Sequence, residues 1–319
     1  MAYLSITFMG SSSFAVPSLQ RLAKGKHVIR NIITKPDRSG KSNKLSPTPV
    51  KEEALKSGLE VMQPSHAGEL LTILEERETD ALVNVAYGMI LPPEILQLPP
   101  LGSINLHPSL LPAYRGAAPI QRALMAGEKL TGVTVLYMIP KLDAGDIIMQ
   151  KKVLIGDEES YSSLHDRLAL EGAICLEDAL DILVRGEINR VSQDEGKASY
   201  APSLNKGDEI IDWNRSAREI SNKIRALEPS PGAYTIFRKK RLKIFRVRQV
   251  ENCKEGNEIN KATTLATPGT ICCLQKDSFH VAANDGLLKI LELQPQGKRR
   301  MKVEEFLRGN PLKAGEKLG

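Results

Sequence analysis

Two polar residues interrupt a stretch that otherwise has the composition of a buried strand. In SINLHP, Asn105 and His107 are separated by one residue, so in a strand their side chains share a face, about 6.6 Å apart along the backbone. An amide and an imidazole at this spacing leave room for a carbonyl oxygen to sit between them. For His107 alone, a hydrogen-bonded histidine of the core is the better interpretation.

The second candidate group is the loop LDAGDII, in which Asp143, Gly145 and Asp146 separate two strand-like runs. A carboxylate beside a histidine fixes the tautomer and orientation of the ring, as a general acid or base requires. D-x-G loops are also common as simple turns, and the loop by itself favours that interpretation of Asp143 and Asp146.

The surrounding elements predict where these residues lie. Short β-branched runs alternate with helical stretches from LSITFMG to SINLHP, which predicts a doubly wound, mostly parallel α/β sheet of the Rossmann-like type. TGVTVLYMI and DIIMQKKVLI extend the sheet, and SSLHDRLALEGAICLEDALDILVRG has the pattern of a long amphipathic helix. Pro108 ends the strand after His107, so Asn105 and His107 fall at its carboxyl end, where such sheets bind ligands.

The composition changes after residue 188. Residues 189–206 are polar and aperiodic, which indicates a linker between a first domain, 1–188, and a second, 207–319. The second domain opens with a helix, SAREISNKIRALEP, capped by Ser216 or Asn214, and continues in short strands. Many short strands in a basic domain of this size predict a small OB-like β-barrel.

Positive charge is concentrated in the second domain. Residues 207–319 contain 22 Lys and Arg against 14 Asp and Glu, whereas residues 1–206 contain 22 against 24. This asymmetry is expected of a protein that handles a polyanion, although a solvated surface is the commoner explanation of any single cluster. Two clusters are candidates for binding such a polyanion: Arg38, Lys41 and Lys44 in the loop KPDRSGKSNKLSPTP, and Lys239, Lys240 and Arg241 in a strand pair.

Several classes of protein are disfavoured. FMGSSSF lacks the glycines of the G-x-G-x-x-G fingerprint, which argues against a dinucleotide-dependent dehydrogenase. The four cysteines, Cys175, Cys253, Cys272 and Cys273, lack zinc-ligand spacing, so we expect packed thiols and no metal. No apolar run is long enough to span a membrane, and the start of the chain lacks a basic n-region, so we expect a cytoplasmic protein.

The segment INLHPSLLPAYRGAAPI, followed by LDAGDII, resembles the signature of the 10-formyltetrahydrofolate-dependent formyltransferases. The resemblance implies that Asn105, His107 and Asp143 form a catalytic group and that 10-formyltetrahydrofolate is the formyl donor, with no metal. MGSSSFAVPSLQRL resembles the family's first strand and phosphate-type loop, and VNVAYGMILPPEIL its folate-contacting stretch. The folate-binding residues implied are Ser109, Leu110, Leu111, Pro112, Tyr87, Gly88, Ile90 and Leu91.

Other segments resemble the branch of this family that formylates initiator methionyl-tRNA: KPDRSGKSNKLSPTPVK, SYAPSLNKGDEIIDWNRSAREISNKIRALEPSPGAYT and LELQPQGKRRM. Nearly the whole chain is then covered. The resemblance implies that both basic clusters contact the RNA backbone. Lys41 stands where the family often has an arginine, and lysine lacks the bidentate guanidinium fork. No protein partner and no membrane are expected, and the resemblance favours a monomer.

Two alternatives stay open. A formyltransferase acting on a small amine, such as a nucleotide sugar or glycinamide ribonucleotide, predicts no use for the basic clusters. A non-catalytic RNA-binding protein predicts the loss of at least one of the three catalytic residues, and all three are present.

Arg115 is explained equally well as an anion contact and as a structural arginine.

Overall fold

The computed structural model describes residues 3–39, 45–187, 189–250 and 266–319. It divides into two compact units. The first comprises residues up to 119 together with 130–155 and 164–202, and the second comprises 120–129, 156–163 and 203–319. The segment predicted as a linker, 189–206, is therefore shared between the units, and two short inserts of the first half belong to the second unit.

The first unit is built on a seven-stranded sheet. Its strands and a separate two-stranded pair are β1 (Ser5–Gly10), β2 (Val28–Ile33), β3 (Arg38–Ser39), β4 (Leu45–Ser46), β5 (Val61–Met62), β6 (Ala81–Val85), β7 (Ser103–His107), β8 (Leu130–Tyr137) and β9 (Ile147–Leu154). The sheet order is β5-β2-β1-β6-β7-β8-β9, while β3 pairs only with β4. The strands from β5 to β7 in this order pair in parallel. β8 pairs antiparallel with β7, and β9 pairs antiparallel with β8. This confirms the predicted doubly wound, mostly parallel sheet.

The helices of this part of the chain are α1 (Val16–Lys24), α2 (Pro49–Lys56), α3 (Ala67–Glu76), α4 (Pro93–Gln97), α5 (Pro119–Ala126) and α6 (Tyr161–Arg185). Residues 120–126 of α5 and 161–163 of α6 belong to the second unit. The predicted long amphipathic helix is α6. Its buried side chains recur at helical spacing, as Leu164, Leu168, Leu176 and Leu180 do. The central strands are buried on both faces, as expected of parallel strands covered by helices.

The second unit contains an antiparallel sheet. Its elements are α7 (Ala217–Leu227), β10 (Ala233–Phe237), β11 (Lys240–Val250), β12 (Ile271–Leu274), β13 (Phe279–Ala282), β14 (Leu287–Pro295), β15 (Met301–Lys302) and α8 (Val303–Gly309). The sheet order is β10-β11-β14-β13-β12, with β15 added to β14. α7 packs its apolar face, including Ile220 and Ile224, into the core that this sheet forms.

The C-terminal residues connect the two edges of this sheet. The amide of Gly319 donates to the carbonyl of Ile236 in β10 (2.9 Å), and the amide of Ile271 in β12 donates to the carbonyl of Glu316 (2.8 Å). Because one short segment bonds both edge strands, the sheet closes on itself, which is consistent with the predicted small barrel. Within the described ranges, no helix is both long enough and apolar enough to cross a membrane.

Candidate active site

Asn105 and His107 lie in β7 and face the same side of the sheet. β7 is flanked by β6, where Asn84 pairs in register with Asn105, and by β8, where Leu136 does. The side-chain oxygen of Asn105 accepts a hydrogen bond from Nδ2 of Asn84 (3.0 Å). This bond fixes which end of the Asn105 amide is the donor, and Nδ2 of Asn105 is directed at Oδ1 of Asp143 (3.5 Å).

The ring of His107 is buried and oriented by a backbone carbonyl. Its Nε2 lies 3.0 Å from the carbonyl oxygen of Tyr114. Because a carbonyl only accepts hydrogen bonds, Nε2 carries a hydrogen. Nδ1 faces Oδ2 of Asp143 at 3.6 Å, beyond ordinary hydrogen-bond length. In the neutral ring Nδ1 is therefore the atom that can accept a proton, and Asp143 stabilises the imidazolium that results.

Asp143 is held in an uncommon backbone conformation. Its φ is 49°, in the left-handed region that aspartate tolerates better than most residues. Its Oδ2 accepts a hydrogen bond from the amide of Gly116 (2.8 Å). Gly145 makes the tight loop possible, because a Cβ at that position would lie 1.9 Å from the carbonyl oxygen of Tyr137. The other aspartate of the loop, Asp146, instead accepts from the hydroxyl of Ser192 (2.9 Å).

The structure thus brings Asn105, His107 and Asp143 together from one strand and one loop; we call them the polar triad. An amide N–H and an imidazole nitrogen converge on one carboxylate. Such an arrangement supplies donors for an oxygen that gains negative charge and an acceptor for a proton that is released. Among the described residues, no group of three His, Cys, Asp or Glu side chains is placed to hold a metal ion.

Four of the residues predicted to bind folate form the turn after β7. Ser109 is buried, and its hydroxyl donates to the carbonyl of Ala113 (2.7 Å). Leu111 is also buried and packs against Leu136, the cross-strand neighbour of Asn105. Leu110 and Pro112 are partly exposed. Ser109 and Leu111 therefore pack inside the protein beside the site, whereas Leu110 and Pro112 are partly accessible.

The other four follow β6. Tyr87 and Leu91 are buried in an apolar cluster against which Met138, the residue after β8, packs. Burial raises the pKa of Tyr87 to about 12, so its phenol stays protonated. Gly88 has a φ of 76°, and its carbonyl accepts a hydrogen bond from Nζ of Lys35. Ile90, in contrast, is 93% exposed.

Three of the residues predicted to contact RNA lie on the surface of the second unit. Lys239, Lys240 and Arg241 are exposed at the turn between β10 and β11 and at the start of β11. The guanidinium of Arg241 lies 4.6 Å from the ring centroid of Tyr234. Arg38 lies in β3, while Lys41 and Lys44 fall outside the described residues.

Arg115 has the structural role that the sequence left open. Its side chain is fully buried and pairs with Glu195 (3.0 Å) and with Gln193 (2.8 Å). The hydrogen bond from Arg115, followed by that from Lys141, lowers the pKa of Glu195 to about 2, so the carboxylate is charged at neutral pH.

Sequence reasoning missed two residues of this neighbourhood. Asn84 is polar in the buried strand ALVNV, which is the same signal that identified Asn105. Gln193 donates to the carbonyls of Asp143 (2.9 Å) and Gly145 (2.8 Å), and no pattern in its aperiodic segment indicates this.

Comparison with known proteins identifies the family of the chain. The family model "Formyl transferase" matches residues 4–180, and "Formyl transferase, C-terminal domain" matches residues 203–311. The methionyl-tRNA formyltransferase of Bacillus subtilis is 41% identical over 98% of this chain and 97% of its own length. That of Moorella thermoacetica is 44% identical over 99% of both.

A solved structure shares the fold at low identity. HypX from Aquifex aeolicus, crystallised with tetrahydrofolic acid, is 18% identical with a TM-score of 0.64, covering 100% of this chain and 51% of HypX. The two domain models and the full-length relatives carry the assignment, and the chain belongs to the formyl transferase family, among the methionyl-tRNA formyltransferases.

Proposed function

We propose that this chain transfers the formyl group of 10-formyltetrahydrofolate to the free amino group of initiator methionyl-tRNA, giving N-formylmethionyl-tRNA for translation initiation. The observation that carries the proposal is the convergence of Asn105 Nδ2 and His107 Nδ1 on the carboxylate of Asp143, at 3.5 and 3.6 Å. The full-length relatives that act on methionyl-tRNA support the choice of amine.

The polar triad divides the chemistry between its members. As the amine adds to the formyl carbon, the formyl oxygen gains negative charge, and Nδ2 of Asn105 and the protonated His107 donate to it. The amine loses one proton, which Asp143 accepts directly or through a bridging water. A carbon–nitrogen bond to the amine forms, the bond from the formyl carbon to the donor nitrogen breaks, and that nitrogen takes up the proton that Asp143 accepted from the amine.

The residues beside the triad fit a folate. 10-Formyltetrahydrofolate supplies the activated formyl group when it is bound. A flat, partly apolar ring system needs apolar side chains open to it, and Ile90, Ile139 and Leu142 are exposed on the segments that follow β6 and β8. These two segments are in contact through the packing of Met138 on the Tyr87 cluster. HypX, which shares the fold, was crystallised with tetrahydrofolic acid.

The basic hairpin, defined as Lys239, Lys240 and Arg241 on β10–β11, supports an RNA-borne amine. All three side chains are exposed, and the turn begins with two residues of positive φ, Arg238 (46°) and Lys239 (63°). Exposed Lys and Arg bind phosphates without reading bases. In this proposal the protein acts in the cytoplasm, because aminoacylated tRNA is made and used where translation takes place. The family resemblance favours a monomer.

The decisive experiment compares amines with one donor. The purified chain and 10-formyltetrahydrofolate are mixed with initiator methionyl-tRNA, with the same tRNA acetylated on its amine, and with glycinamide ribonucleotide and a dTDP-amino sugar. We expect rapid formylation of methionyl-tRNA alone, with the acetylated tRNA as matched negative control. Transfer to a small amine without transfer to methionyl-tRNA would overturn the proposal.

A further inference from the structure

Gln193 uses its whole hydrogen-bonding capacity on two loops. Its amide nitrogen donates to the carbonyls of Asp143 (2.9 Å) and Gly145 (2.8 Å). Its amide oxygen accepts from Nε (3.1 Å) and Nη2 (2.8 Å) of Arg115. A glutamine has two donor hydrogens and two acceptor lone pairs, so these four bonds satisfy it completely.

Each of the two loops supplies one part of the polar triad's geometry. The loop around Arg115 places the carbonyl of Tyr114 on His107 Nε2 (3.0 Å) and the amide of Gly116 on Asp143 Oδ2 (2.8 Å). The other loop carries Asp143 itself. Gln193 therefore joins the loop that orients the histidine to the loop that carries the aspartate, while touching neither of their side chains.

The hydrogen bonds of Gln193 hold two residues whose backbone conformations are strained. Asp143 (φ 49°) and Tyr114 (φ 62°) both have left-handed conformations, which are strained for residues other than glycine and persist only when their surroundings hold them. One of the bonds from Gln193 is made to the Asp143 backbone. The amide oxygen of Gln193 bonds the fully buried side chain of Arg115. Arg115 is the residue after Tyr114, so this contact also holds the Tyr114 backbone.

The segment that carries Gln193 is itself fixed to the Arg115 loop. The amide of Arg115 donates to the carbonyl of Ser199 (2.8 Å), the amide of Ala201 donates to the carbonyl of Arg115 (2.7 Å), and Glu195 pairs with the Arg115 guanidinium. These bonds restrict the movement of Gln193 relative to the Arg115 loop.

We propose that Gln193 is a positioning residue for formyl transfer, which holds Asp143 and the Tyr114 carbonyl at the distances that the polar triad requires. The proposal rests on the proposed function. Small misplacements of catalytic groups are expensive: a shift of about 1 Å can cost about 100-fold in rate.

Two variants separate the halves of the Gln193 contact. Gln193→Ala removes all four bonds. Gln193→Glu keeps an acceptor for Arg115 but replaces the donor with an oxygen that faces two carbonyls. The matched control is Ser192→Ala, which removes a hydrogen bond to Asp146 from the adjacent residue.

We expect both Gln193 variants to slow single-turnover formylation by about 10- to 100-fold. KM for methionyl-tRNA should stay within about threefold, because all four hydrogen bonds of the Gln193 amide are made within the protein. Ser192→Ala should stay within about twofold of wild type. Gln193→Glu should retain more thermal stability than Gln193→Ala while losing at least as much rate, a split that a merely structural role would not produce.

A second readout does not depend on activity. Long-range ¹⁵N–¹H NMR spectra of the neutral ring, before substrate is added, report the tautomer of His107, assigned with a His107→Gln variant. We expect the Nε2–H form to dominate in wild type and Ser192→Ala, and to give way to a mixture in Gln193→Ala. Unchanged His107 signals, or a rate within twofold of the control, would overturn the positioning role. Failure of wild type to formylate methionyl-tRNA would instead overturn the proposed function, which the NMR comparison does not test.

Discussion

The polar triad and the basic hairpin are held in opposite ways. In the triad, Asn105 is oriented by Asn84, His107 by the Tyr114 carbonyl and Asp143 by the Gly116 amide. In the basic hairpin, three charged side chains extend from the surface. A reaction centre requires fixed distances, whereas phosphate neutralisation requires only charge near the RNA. Substitutions in the first region should therefore change the rate of the chemical step, and substitutions in the second should change affinity and its salt dependence.

The largest effect is expected from Asn105→Ala. This change removes a donor to the developing negative charge, and the loss of one such donor typically costs about 10²–10³ in turnover. Single-turnover formylation at saturating methionyl-tRNA measures it directly. A second pair of variants tests the triad carboxylate. Asp143→Asn should slow formylation, whereas Asp146→Asn, in the same loop but outside the triad, should stay close to wild type. An Asn105→Ala protein within a few-fold of wild type would remove the triad from the chemistry.

The next effect concerns stability around Arg115. Arg115→Lys keeps the charge but loses the fork that bonds Gln193 and Glu195 together. Losing these hydrogen bonds from a fully buried guanidinium should lower the free energy of unfolding by about 1–3 kcal/mol, measured by urea denaturation. Arg185→Lys, at an exposed arginine that pairs with Glu187 at the end of α6, is the control and should change little.

The pH dependence gives an independent check on this ion pair. Glu195 has a folded-state pKa of about 2, below its ordinary value of 4.5, so its pairing stabilises the fold above pH 4.5 and is lost as pH falls towards 2. The stability difference between wild type and Arg115→Lys should therefore be constant at neutral pH and narrow in that acidic window. If the stability difference instead narrows between pH 6 and 8, a group other than Glu195 is responsible for it.

The third prediction sharpens the other side of the comparison. Replacing Lys239, Lys240 and Arg241 together by alanine should weaken tRNA binding by about tenfold at low salt. The slope of log Kd against log salt should fall by about one for each phosphate that the variant no longer neutralises. The rate of transfer at saturating tRNA should not change. The control removes the same charge from other exposed positions of the second unit, Lys206, Lys276 and Lys313. Equal salt slopes for the two triple variants would show that net charge matters and the hairpin does not.

The same contrast explains what the sequence could predict. The sheet, the long helix α6 and the small antiparallel domain follow from periodicity, and the placement of Asn105 and His107 on one face follows from the alternation of a strand. The hydrogen bonds of Gln193 do not, because it lies 50 residues from Asp143 in a segment with no period, held by isolated bridges such as Arg115 with Tyr200. The turn at Arg238 and Lys239 was also hidden, since neither residue is the glycine or asparagine that usually marks a two-residue hairpin turn.

The smallest effect is expected at the start of α7. Ser216, one of the two predicted caps, accepts a hydrogen bond from the Glu219 amide (3.2 Å) and completes a capping box, whereas Asn214 bonds Asp212 instead. Ser216→Ala should cost about 1 kcal/mol of stability, and Asn214→Ala less, both measured by thermal unfolding. Neither should alter single-turnover formylation, because the second unit contributes no residue to the polar triad. A Ser216→Ala protein that is slow at saturating tRNA would show that the packing of the second unit controls the chemical step, and the division between a fixed reaction centre and an RNA-holding surface would then fail.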